Sequence, residues 1–343
     1  MSTPGIVTEN VSEWFVRELD NVVLPLEFDL IGGGNSNITY RVTDAHRRQF
    51  VLRRPPLSQV LPTAHDMRRE YRVLRALSST NVPVPAPLAF CEDDHVTDAP
   101  FYVMEYVDGA VIHDLSAAPS LLSETSRATL GDELVDVLAD IHAVPVTPSG
   151  LDGYGRRSGY VERQLRRWMN QWNESSTRPL PEIEAVHAAL LQRIPTEMEA
   201  TLIHGDFGIH NVLVDHDGHI RAVLDWELST LGDPRADLGQ LIARWTPLGP
   251  ESGAIEPPAS TLPGFPSAEH LIRRYGERSP EGIVAIDYFV ALAYWKLACI
   301  AGGVYARFSG GAMATRHANV EELWAMTVAS AAAAAMKIET LEE

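Results

Sequence analysis

The sequence LIHGDFGIHNVLVD occupies residues 202–215, and AVLDWE follows it at residues 222–227. Apolar runs in HNVLVD and IRAVLDW predict two short strands on either side of the turn-forming sequence DHDG. This arrangement places Asp206, Asn211 and Asp225 near strand ends, where their oxygen-bearing side chains can converge. Each residue alone is also compatible with a turn or a helix cap. The joint spacing of the three favours a catalytic site.

These residue types suit the transfer of a phosphoryl group. Magnesium in nucleotide sites is bound by protein oxygens and keeps several positions for water and phosphate. We therefore predict that Asn211 and Asp225 hold an ATP-bound magnesium ion, while Asp206 accepts the proton of a substrate hydroxyl. The five-residue step from Asp206 to Asn211 matches the step from the catalytic aspartate to the metal-binding asparagine in kinase loops.

HGDFGIHN and LDWE together resemble the paired motifs of the aminoglycoside phosphotransferase and choline kinase superfamily, and the resemblance covers nearly the whole chain. It implies an α+β, two-lobed protein-kinase-like fold with a strand-rich N-terminal lobe and a mainly helical C-terminal lobe. It also implies that Asp206 is the catalytic base and that Asn211 and Asp225 are the magnesium ligands, with ATP as co-substrate.

Three further residues of these motifs have two interpretations each. The resemblance implies that Asp237, in GDPRADLG, braces the catalytic loop, whereas a helix N-cap is the alternative. It implies that His204 shapes the loop. His204 and His210 could instead form a metal pair, but a third ligand at a recognisable spacing is missing from the sequence around them. We therefore favour structural roles for both histidines.

The first third of the chain offers a segment that suits phosphate. In GGGNSN, we predict a turn between strands in which Gly33, Gly34, Asn35 and Ser36 bring backbone amides close to anionic oxygens. A flexible hairpin turn without a ligand would give the same pattern. The downstream motifs favour the nucleotide-binding interpretation.

The sequence FVLRRPP contains the position at which kinases carry a phosphate-binding lysine, and here that position corresponds to Arg53. Its expected partner is Glu70, which the helical pattern of HDMRREYRVLRAL places beside the apolar stripe. Arginine keeps the positive charge, but its planar group differs from the compact ammonium of lysine. Arg54 is an alternative at this position, and surface exposure of both arginines is another.

The sequence FYVMEYVDG predicts a buried strand that runs into a glycine-containing connector. By the resemblance, the backbone from Glu105 to Val107 contacts adenine and Met104 lines the adenine pocket, although a plain buried strand explains the apolar pattern equally well. We place the lobe boundary here. Residues 1–104 then form the nucleotide-binding lobe, and residues 105–343 form the catalytic and substrate-binding lobe.

Composition limits the partners. The 28 basic and 46 acidic residues give a net charge of -18, which opposes nucleic acid binding and either attracts a cationic substrate or keeps a cytosolic protein soluble. Cys91 and Cys299 lack the number and spacing of a disulfide framework. The N-terminus lacks a secretion pattern, and charged residues interrupt the apolar stretch 283–304, which predicts a buried helix. We expect a cytoplasmic protein without a membrane partner, and a homodimer is compatible with the sequence.

FVLRRPP, YVERQLRRWMNQW and LSTLGDPRADLG indicate a subfamily. Together they are similar to the kinase-like domains that are fused, in some proteins, to acyl-CoA dehydrogenases, and to their free-standing bacterial relatives. The favoured function is ATP- and magnesium-dependent phosphorylation of a small-molecule hydroxyl, with a hydroxyacyl-CoA as the favoured class. An aminoglycoside or amino-alcohol kinase is the alternative enzyme. A catalytically silent kinase-like binding module is a third hypothesis, suggested by the arginine at the lysine position.

The motif YVERQLRRWMNQW carries aromatic and basic residues on one predicted helix. Trp168 and Trp172 share a helical face, which predicts either core packing or the wall of a substrate pocket. Arg163, Arg166 and Arg167 could meet an anionic carrier, and a solvated helix face is the alternative.

Overall fold

The computed structural model describes residues 3–32, 37–57, 66–112, 118–245, 261–309 and 320–341. The chain divides into two compact units. Unit 1 comprises Met1–Ala110, Val146–Asp152 and Arg221–Leu228, and unit 2 comprises Val111–Pro145, Gly153–Ile220 and Ser229–Glu343. The expected lobe boundary after residue 104 stays a prediction. The predicted turn of Gly33, Gly34, Asn35 and Ser36 lies outside the described residues.

Unit 1 is built on an antiparallel sheet. Its elements in chain order are α1 (Thr8–Glu18), β1 (Glu27–Gly32), β2 (Ile38–Thr43), β3 (Gln49–Arg54), α2 (Met67–Leu77), β4 (Pro87–Cys91) and β5 (Phe101–Glu105). The strand order is β1-β2-β3-β5-β4, and all neighbouring strands run antiparallel. The predicted strand-rich first third is confirmed.

The sheet of unit 1 buries one face because apolar residues alternate along its strands. On β2, Ile38, Tyr40 and Val42 are buried, while the residues between them are partly exposed. Helix α1 covers this face with Trp14, whose ring packs edge-to-face against Phe101 at a centroid distance of 4.8 Å. This core supports β3 and β5, which carry polar residues of the candidate site.

Helix α2 begins at a side-chain cap. The carboxylate of Asp66 accepts hydrogen bonds from the backbone N–H groups of Arg68 and Arg69 at 3.0 and 3.1 Å. Tyr71, which the sequence pattern assigns to the apolar stripe, is partly exposed, whereas Glu70 is only 1% exposed. The carboxylate of Glu70 is therefore more deeply buried than a position beside the stripe suggests.

Unit 2 is mainly helical, as expected. Its elements are α3 (Ala118–Leu121), α4 (Glu124–His142), α5 (Tyr160–Ser175), α6 (Pro181–Gln192), β7 (Thr201–Ile203), β8 (Val212–Val214), β10 (Thr230–Gly232), α7 (Arg235–Trp245), α8 (Ala268–Arg278), α9 (Ile286–Ser309) and α10 (Val320–Thr340). Strands β6 (Ala110–Val111) and β9 (Ile220–Val223) cross the division between the units. β7 and β10 pair antiparallel.

Helix α9 has 24 residues and is long and apolar enough to cross a membrane by length and composition. Within the protein, 72% of its most apolar window is buried, which agrees with the predicted core helix. It approaches α7 closely at Gly239, where an added Cβ would lie 2.6 Å from the carbonyl carbon of Phe289. The close approach brings Gln240 of α7 and Lys296 of α9 within hydrogen-bond distance.

Candidate active site

The loop predicted from HGDFGIHN lies between β7 and β8 in unit 2, and Asp206 is its central acceptor. Oδ1 of Asp206 accepts hydrogen bonds from Gln240 Nε2 at 2.9 Å and from Arg244 Nη2 at 2.8 Å. Oδ2 lies 3.3 Å from Nε2 of His210 and 3.3 Å from Nδ2 of Asn211. Both oxygens of the carboxylate are therefore held by donors.

These neighbours determine the charge of Asp206. Burial by itself would raise the pKa of this carboxyl group, but the hydrogen bond from His210 and the charges of Arg244, His210 and His204 outweigh burial and lower the pKa to about 2. Asp206 is therefore an anion at neutral pH. An ionised carboxylate can orient an attacking hydroxyl and accept its proton.

The backbone of the loop is held by Asp237 of α7. Its Oδ2 accepts a hydrogen bond from the N–H of His204 at 2.6 Å, and its Oδ1 accepts one from the N–H of Gly205 at 2.9 Å. His204 in turn accepts a hydrogen bond at Nδ1 from the N–H of Asp206 at 3.3 Å. Asp237 thus makes the contacts expected of a residue that braces the catalytic loop.

Asn211 ends a short 3-10 turn, Ile209–Asn211, and is tied to the same loop. Its Nδ2 donates to the backbone oxygen of Asp206 at 2.9 Å. The amide nitrogen is therefore used internally, and the amide oxygen is the atom that suits a hard cation such as magnesium. Among the residues with described structure, no group of three or more His, Cys, Asp or Glu side chains could hold a metal ion. His204 and His210 instead contact Asp206.

Lys296 extends the cluster from the other side of Gln240. Its Nζ donates to Gln240 Oε1 at 2.7 Å and to the backbone oxygen of Gly205 at 3.2 Å. Because Lys296 binds the amide oxygen of Gln240, the amide nitrogen is directed to Asp206. Burial lowers the pKa of Lys296 to about 8, against the opposing charges of Asp206 and Asp237.

In unit 1, Arg53 of β3 contacts two carboxylates. Its Nε lies 2.9 Å from Oε2 of Glu70, and its Nη2 lies 2.5 Å from Oδ1 of Asp225. Burial opposes the charge of Arg53, but the surrounding negative groups, Glu70 first, outweigh burial and raise the pKa of the guanidinium. The expected pair of Arg53 and Glu70 is therefore present, and its role in binding phosphate stays a prediction.

Glu70 is also bound by two neutral side chains. Its Oε1 accepts a hydrogen bond from Asn37 Nδ2 at 2.7 Å, and its Oε2 accepts one from the hydroxyl of Tyr102 at 2.9 Å. Burial raises the pKa of Glu70, while Arg53 and Tyr102 oppose that rise. Since Glu70 is held on both oxygens, it fixes the orientation of the guanidinium that it contacts.

Arg54 occupies a different environment from Arg53. Adjacent residues of a strand point to opposite faces of a sheet, and Arg54 binds the backbone oxygen of Gly5 and Oδ1 of Asp98, the latter at 3.0 Å. The side chains of Arg53 and Arg54 are 14% and 2% exposed, which excludes the surface alternative. Of the two arginines, Arg53 is the one that Glu70 contacts.

Asp225 follows β9 in a conformation that is uncommon for a residue with a side chain. Its φ of 63° lies in the left-handed region, where backbone strain is often associated with function. The next residue is anchored by a hydrogen bond from Trp226 Nε1 to the backbone oxygen of Val223 at 3.1 Å. The carboxylate of Asp225 is 32% exposed. Its role as a magnesium ligand stays a prediction.

The predicted adenine-contacting residues lie at and beyond the end of β5. Met104 is buried, Glu105 is exposed at the last position of the strand, and Val107 is partly exposed beyond it. The backbone N–H of Glu105 donates to the oxygen of Ala86 at 2.9 Å. The contact with adenine stays a prediction.

The two tryptophans of α5 serve different purposes. Trp172 is 4% exposed and packs so closely on α9 that a Cβ added at Gly302 would lie 2.4 Å from its ring. Trp168 lines a small cavity of unit 2 together with Tyr160 and Lys296. Core packing is confirmed for Trp172, and a substrate-pocket role for Trp168 stays a prediction.

The three arginines of α5 also differ from one another. Arg163 donates to the backbone oxygen of Ser158 and is partly buried. Arg167 is exposed and lies over the Trp168 ring, with its guanidinium carbon 5.1 Å from the ring centroid. Arg166 is exposed. Arg166 and Arg167 keep their guanidinium groups in solvent, where an anionic carrier could reach them.

The sequence-based site did not include Gln240, Arg244 or Lys296. Two of them carried a detectable signal, since Gln240 and Arg244 lie three and seven positions after Asp237 and so share its face of a helix. Lys296 is a charged residue in the middle of an apolar helix, a position that lysine seldom occupies without a polar partner. None of the three could be assigned to Asp206 without knowing how α7 and α9 pack.

Solved structures share this architecture. A candidate aminoglycoside phosphotransferase from Ralstonia eutropha superposes with a TM-score of 0.82 at 28% identity, covering 97% of this chain and 98% of that protein. A complex of aminoglycoside phosphotransferase APH(4)-Ia with AMP-PNP and hygromycin B superposes with a TM-score of 0.62 at 17% identity, covering 95% and 98%. The strand-rich part and the helical part of this chain thus have the kinase-like fold of small-molecule phosphotransferases, as the sequence motifs indicate.

The sequence profile of the phosphotransferase enzyme family, APH, matches residues 27–257. The chain belongs to this family. Acyl-CoA dehydrogenase family member 10 of Mus musculus is 36% identical over an alignment of 291 residues that covers 82% of this chain. The chain spans only 27% of the length of that relative.

Proposed function

We propose that this chain transfers the γ-phosphoryl group of ATP to the hydroxyl of a hydroxyacyl-CoA. The observation that carries the proposal is an ionised Asp206 whose immediate neighbours are positively charged or donor groups. Family membership supports phosphoryl transfer. The likeness to acyl-CoA dehydrogenase family member 10 supports an acyl-CoA as the acceptor.

In the proposed reaction, a bond forms between the acceptor oxygen and the γ-phosphorus as the bond to the leaving oxygen of ADP breaks. The hydroxyl proton passes to Asp206. The donors on both oxygens of Asp206 fix the carboxylate in one orientation, which supplies the positioning that dominates this kind of catalysis. Asp237 contributes by holding the backbone of the loop.

Asn211 and Asp225 are proposed as magnesium ligands because of their chemistry. The amide oxygen of Asn211 and the carboxylate of Asp225 are hard oxygen ligands of the kind that this ion prefers. When bound, magnesium supplies charge neutralisation for the phosphates. Arg53 is proposed to place the phosphates, and Met104, Glu105 and Val107 are proposed to contact adenine. The AMP-PNP complex of APH(4)-Ia supports ATP as the co-substrate.

The charge around Asp206 favours an anionic acceptor over a cationic one. Arg244 binds Asp206 directly, and Lys296 lies one amide away. Both would repel an ammonium group, although the chain as a whole carries a net charge of -18. Arg166 and Arg167 are exposed and are proposed to meet the phosphates of the CoA carrier.

The test is magnesium-dependent release of ADP in the presence of hydroxyacyl-CoAs, free hydroxy acids, choline and hygromycin B, with detection of the phosphorylated product. We expect turnover of the hydroxyacyl-CoA, and turnover of the cationic alcohols alone would reject the acceptor class. Arg166→Ala should raise the KM for the acyl-CoA by about tenfold if it binds a CoA phosphate. Arg75→Ala, at an exposed arginine of unit 1, is the matched control and should leave this KM unchanged.

A further inference from the structure

The chain contains two lysines, Lys296 and Lys337, among its 28 basic residues. Lys337 is a partly exposed residue of α10 that pairs with Asp287 at 2.7 Å. Lys296 is instead located in the middle of the apolar helix α9 and is mostly buried. Lys296 thus places a compact ammonium with three donors at a mostly buried position.

Lys296 has two identified hydrogen bonds. Its Nζ donates to Gln240 Oε1 and to the backbone oxygen of Gly205, and within the described ranges no carboxylate lies at ion-pair distance from it. An ammonium carries three N–H groups, so a third donor is left for another acceptor. Lys296 also lines a cavity in unit 2.

The cavity has a volume of about 20 Å³. Its polar and aromatic lining includes Gln164, Trp168, Gly205, Asp237, Gln240 and Lys296. A space of this size holds about one water molecule or one carbonyl group. Gly205 precedes Asp206, and Gln240 binds Asp206, so the cavity adjoins the residue proposed to receive the acceptor hydroxyl.

Trp168 does not offer this cavity a vacant face for a cation. An aromatic face can bind a quaternary ammonium, but Nζ of Lys296 already lies 5.8 Å from the centre of the Trp168 ring. A cationic alcohol would therefore compete with the protein's own ammonium. An oxygen acceptor, by contrast, would accept a hydrogen bond from the remaining N–H group of Lys296.

We propose that Lys296 determines acceptor specificity by donating a hydrogen bond to the acyl carbonyl of the substrate while its charge excludes cationic alcohols. This inference rests on the proposed function and specifies the part of the acceptor that the cavity receives. The hydroxyl lies at Asp206, and the carbonyl lies at Lys296. Gln240 connects the two groups and keeps their separation constant.

The test combines a change in the protein with a change in the acceptor. The best hydroxyacyl-CoA is compared with its hydroxyalkyl thioether, in which a methylene replaces the acyl carbonyl, for the wild type, Lys296→Met and the control Lys337→Met. In the wild type and in Lys337→Met, loss of the carbonyl should lower kcat/KM by about tenfold. In Lys296→Met the kcat/KM values of the two acceptors should differ by less than about twofold. Loss of the carbonyl effect together with the lysine is the result expected if the two groups are in direct contact.

The possible outcomes separate this inference from the proposed function. An equal carbonyl effect in wild type and Lys296→Met overturns the role of Lys296 and leaves acyl-CoA phosphorylation intact. Failure of every hydroxyacyl-CoA to bind, measured by calorimetry with AMP-PNP present, rejects the proposed function. Turnover of choline that is equally efficient in wild type and Lys296→Met overturns the exclusion of cations.

Selective ¹⁵N labelling of lysine supplies a direct readout, since only two side-chain signals arise from the chain. Hydroxyacyl-CoA should shift the Nζ signal of Lys296 and leave that of Lys337 unchanged. The thioether analogue should produce little shift. A shift of the same size with both compounds overturns the carbonyl contact.

Discussion

The Arg53 cluster of unit 1 and the Asp206 cluster of unit 2 have opposite arrangements of charge. Arg53 is a buried cation held by carboxylates, and Glu70 in turn is held by Asn37 and Tyr102. Asp206 is an anion held by cations and amides, and its partner Arg244 is 41% exposed. The pair of Arg53 and Glu70 is mostly buried, whereas Arg244 in the second cluster retains access to solvent.

This difference in solvent exposure predicts how much stability is lost when a charged partner is removed. A buried charge that loses its partner has no water to replace it, so the first cluster is sensitive to any deletion. The second cluster tolerates substitution better because solvent can compensate an exposed partner. We therefore expect substitution of Arg53 to lower the stability of the fold more than substitution of an exposed partner of Asp206.

The largest effect is expected for Asp206→Asn. The substitution keeps the shape but removes the group that orients the hydroxyl and accepts its proton, so kcat should fall by about 10²–10⁴-fold. Nucleotide binding should change little, because the proposed phosphate and adenine contacts are elsewhere in the sequence. Steady-state kinetics and calorimetry with AMP-PNP measure the two effects. Unchanged turnover in the folded variant would eliminate Asp206 as the base.

The next effect concerns stability. Arg53→Met keeps the apolar stem but leaves the buried carboxylate of Glu70 without its cation, so the free energy of unfolding should fall by about 3 kcal/mol. Arg244→Ala, which removes a partly exposed partner, should cost less than about 1 kcal/mol. Urea denaturation without ligand measures both. Equal losses would show that the two clusters do not differ in the way described.

The Arg53→Met variant should also depend on pH in a defined direction. Burial already raises the pKa of Glu70, and loss of Arg53 raises it further. A group with a raised folded-state pKa stabilises the protein below its ordinary pKa, and that contribution is lost as pH rises through the folded-state value. The penalty of the substitution should therefore be larger at pH 8 than at pH 5. A smaller penalty at pH 8 would contradict this assignment of Glu70.

The smallest effect concerns the charge of Asp206. Its pKa is lowered from 3.8 to about 2, so the ionised form stabilises the fold above the ordinary value and this contribution is lost as pH falls towards 2. The contribution is about 2 kcal/mol. About half of it should be lost by pH 3. Denaturation of wild type and Asp206→Asn between pH 6 and pH 3 should show their difference in stability shrinking, and a constant difference would contradict the assignment.

The sequence predicted two groupings of residues that the structure contains. Asp206 and Asn211 lie on one loop, and the pairing of Arg53 with Glu70 follows from a strand and the helix after it. The fold class was predicted for the same reason, since motifs and periodicity indicated a strand-rich region before a helical one. These features depend on short stretches of chain.

The parts that sequence missed depend on long-range packing. Gln240 and Lys296 are 56 residues apart, and their contact depends on how closely α7 and α9 cross. Tyr102 and Asn37 reach Glu70 from β5 and from the residue before β2, and no spacing rule connects them. The burial of Glu70 was underestimated because a carboxylate is normally a surface group, and only its polar partners make burial tolerable.

The close approach at Gly239 has a consequence for how acceptor choice could evolve. The absence of a single side-chain carbon lets α7 and α9 lie near enough for Gln240 to meet Lys296. A methyl group introduced at Gly239 would press on Phe289, which lines the cavity, and would act as a spacer that lengthens that hydrogen bond. A new acceptor preference could thus arise from a residue that never meets the substrate, so a comparison of pocket residues alone would overlook its origin.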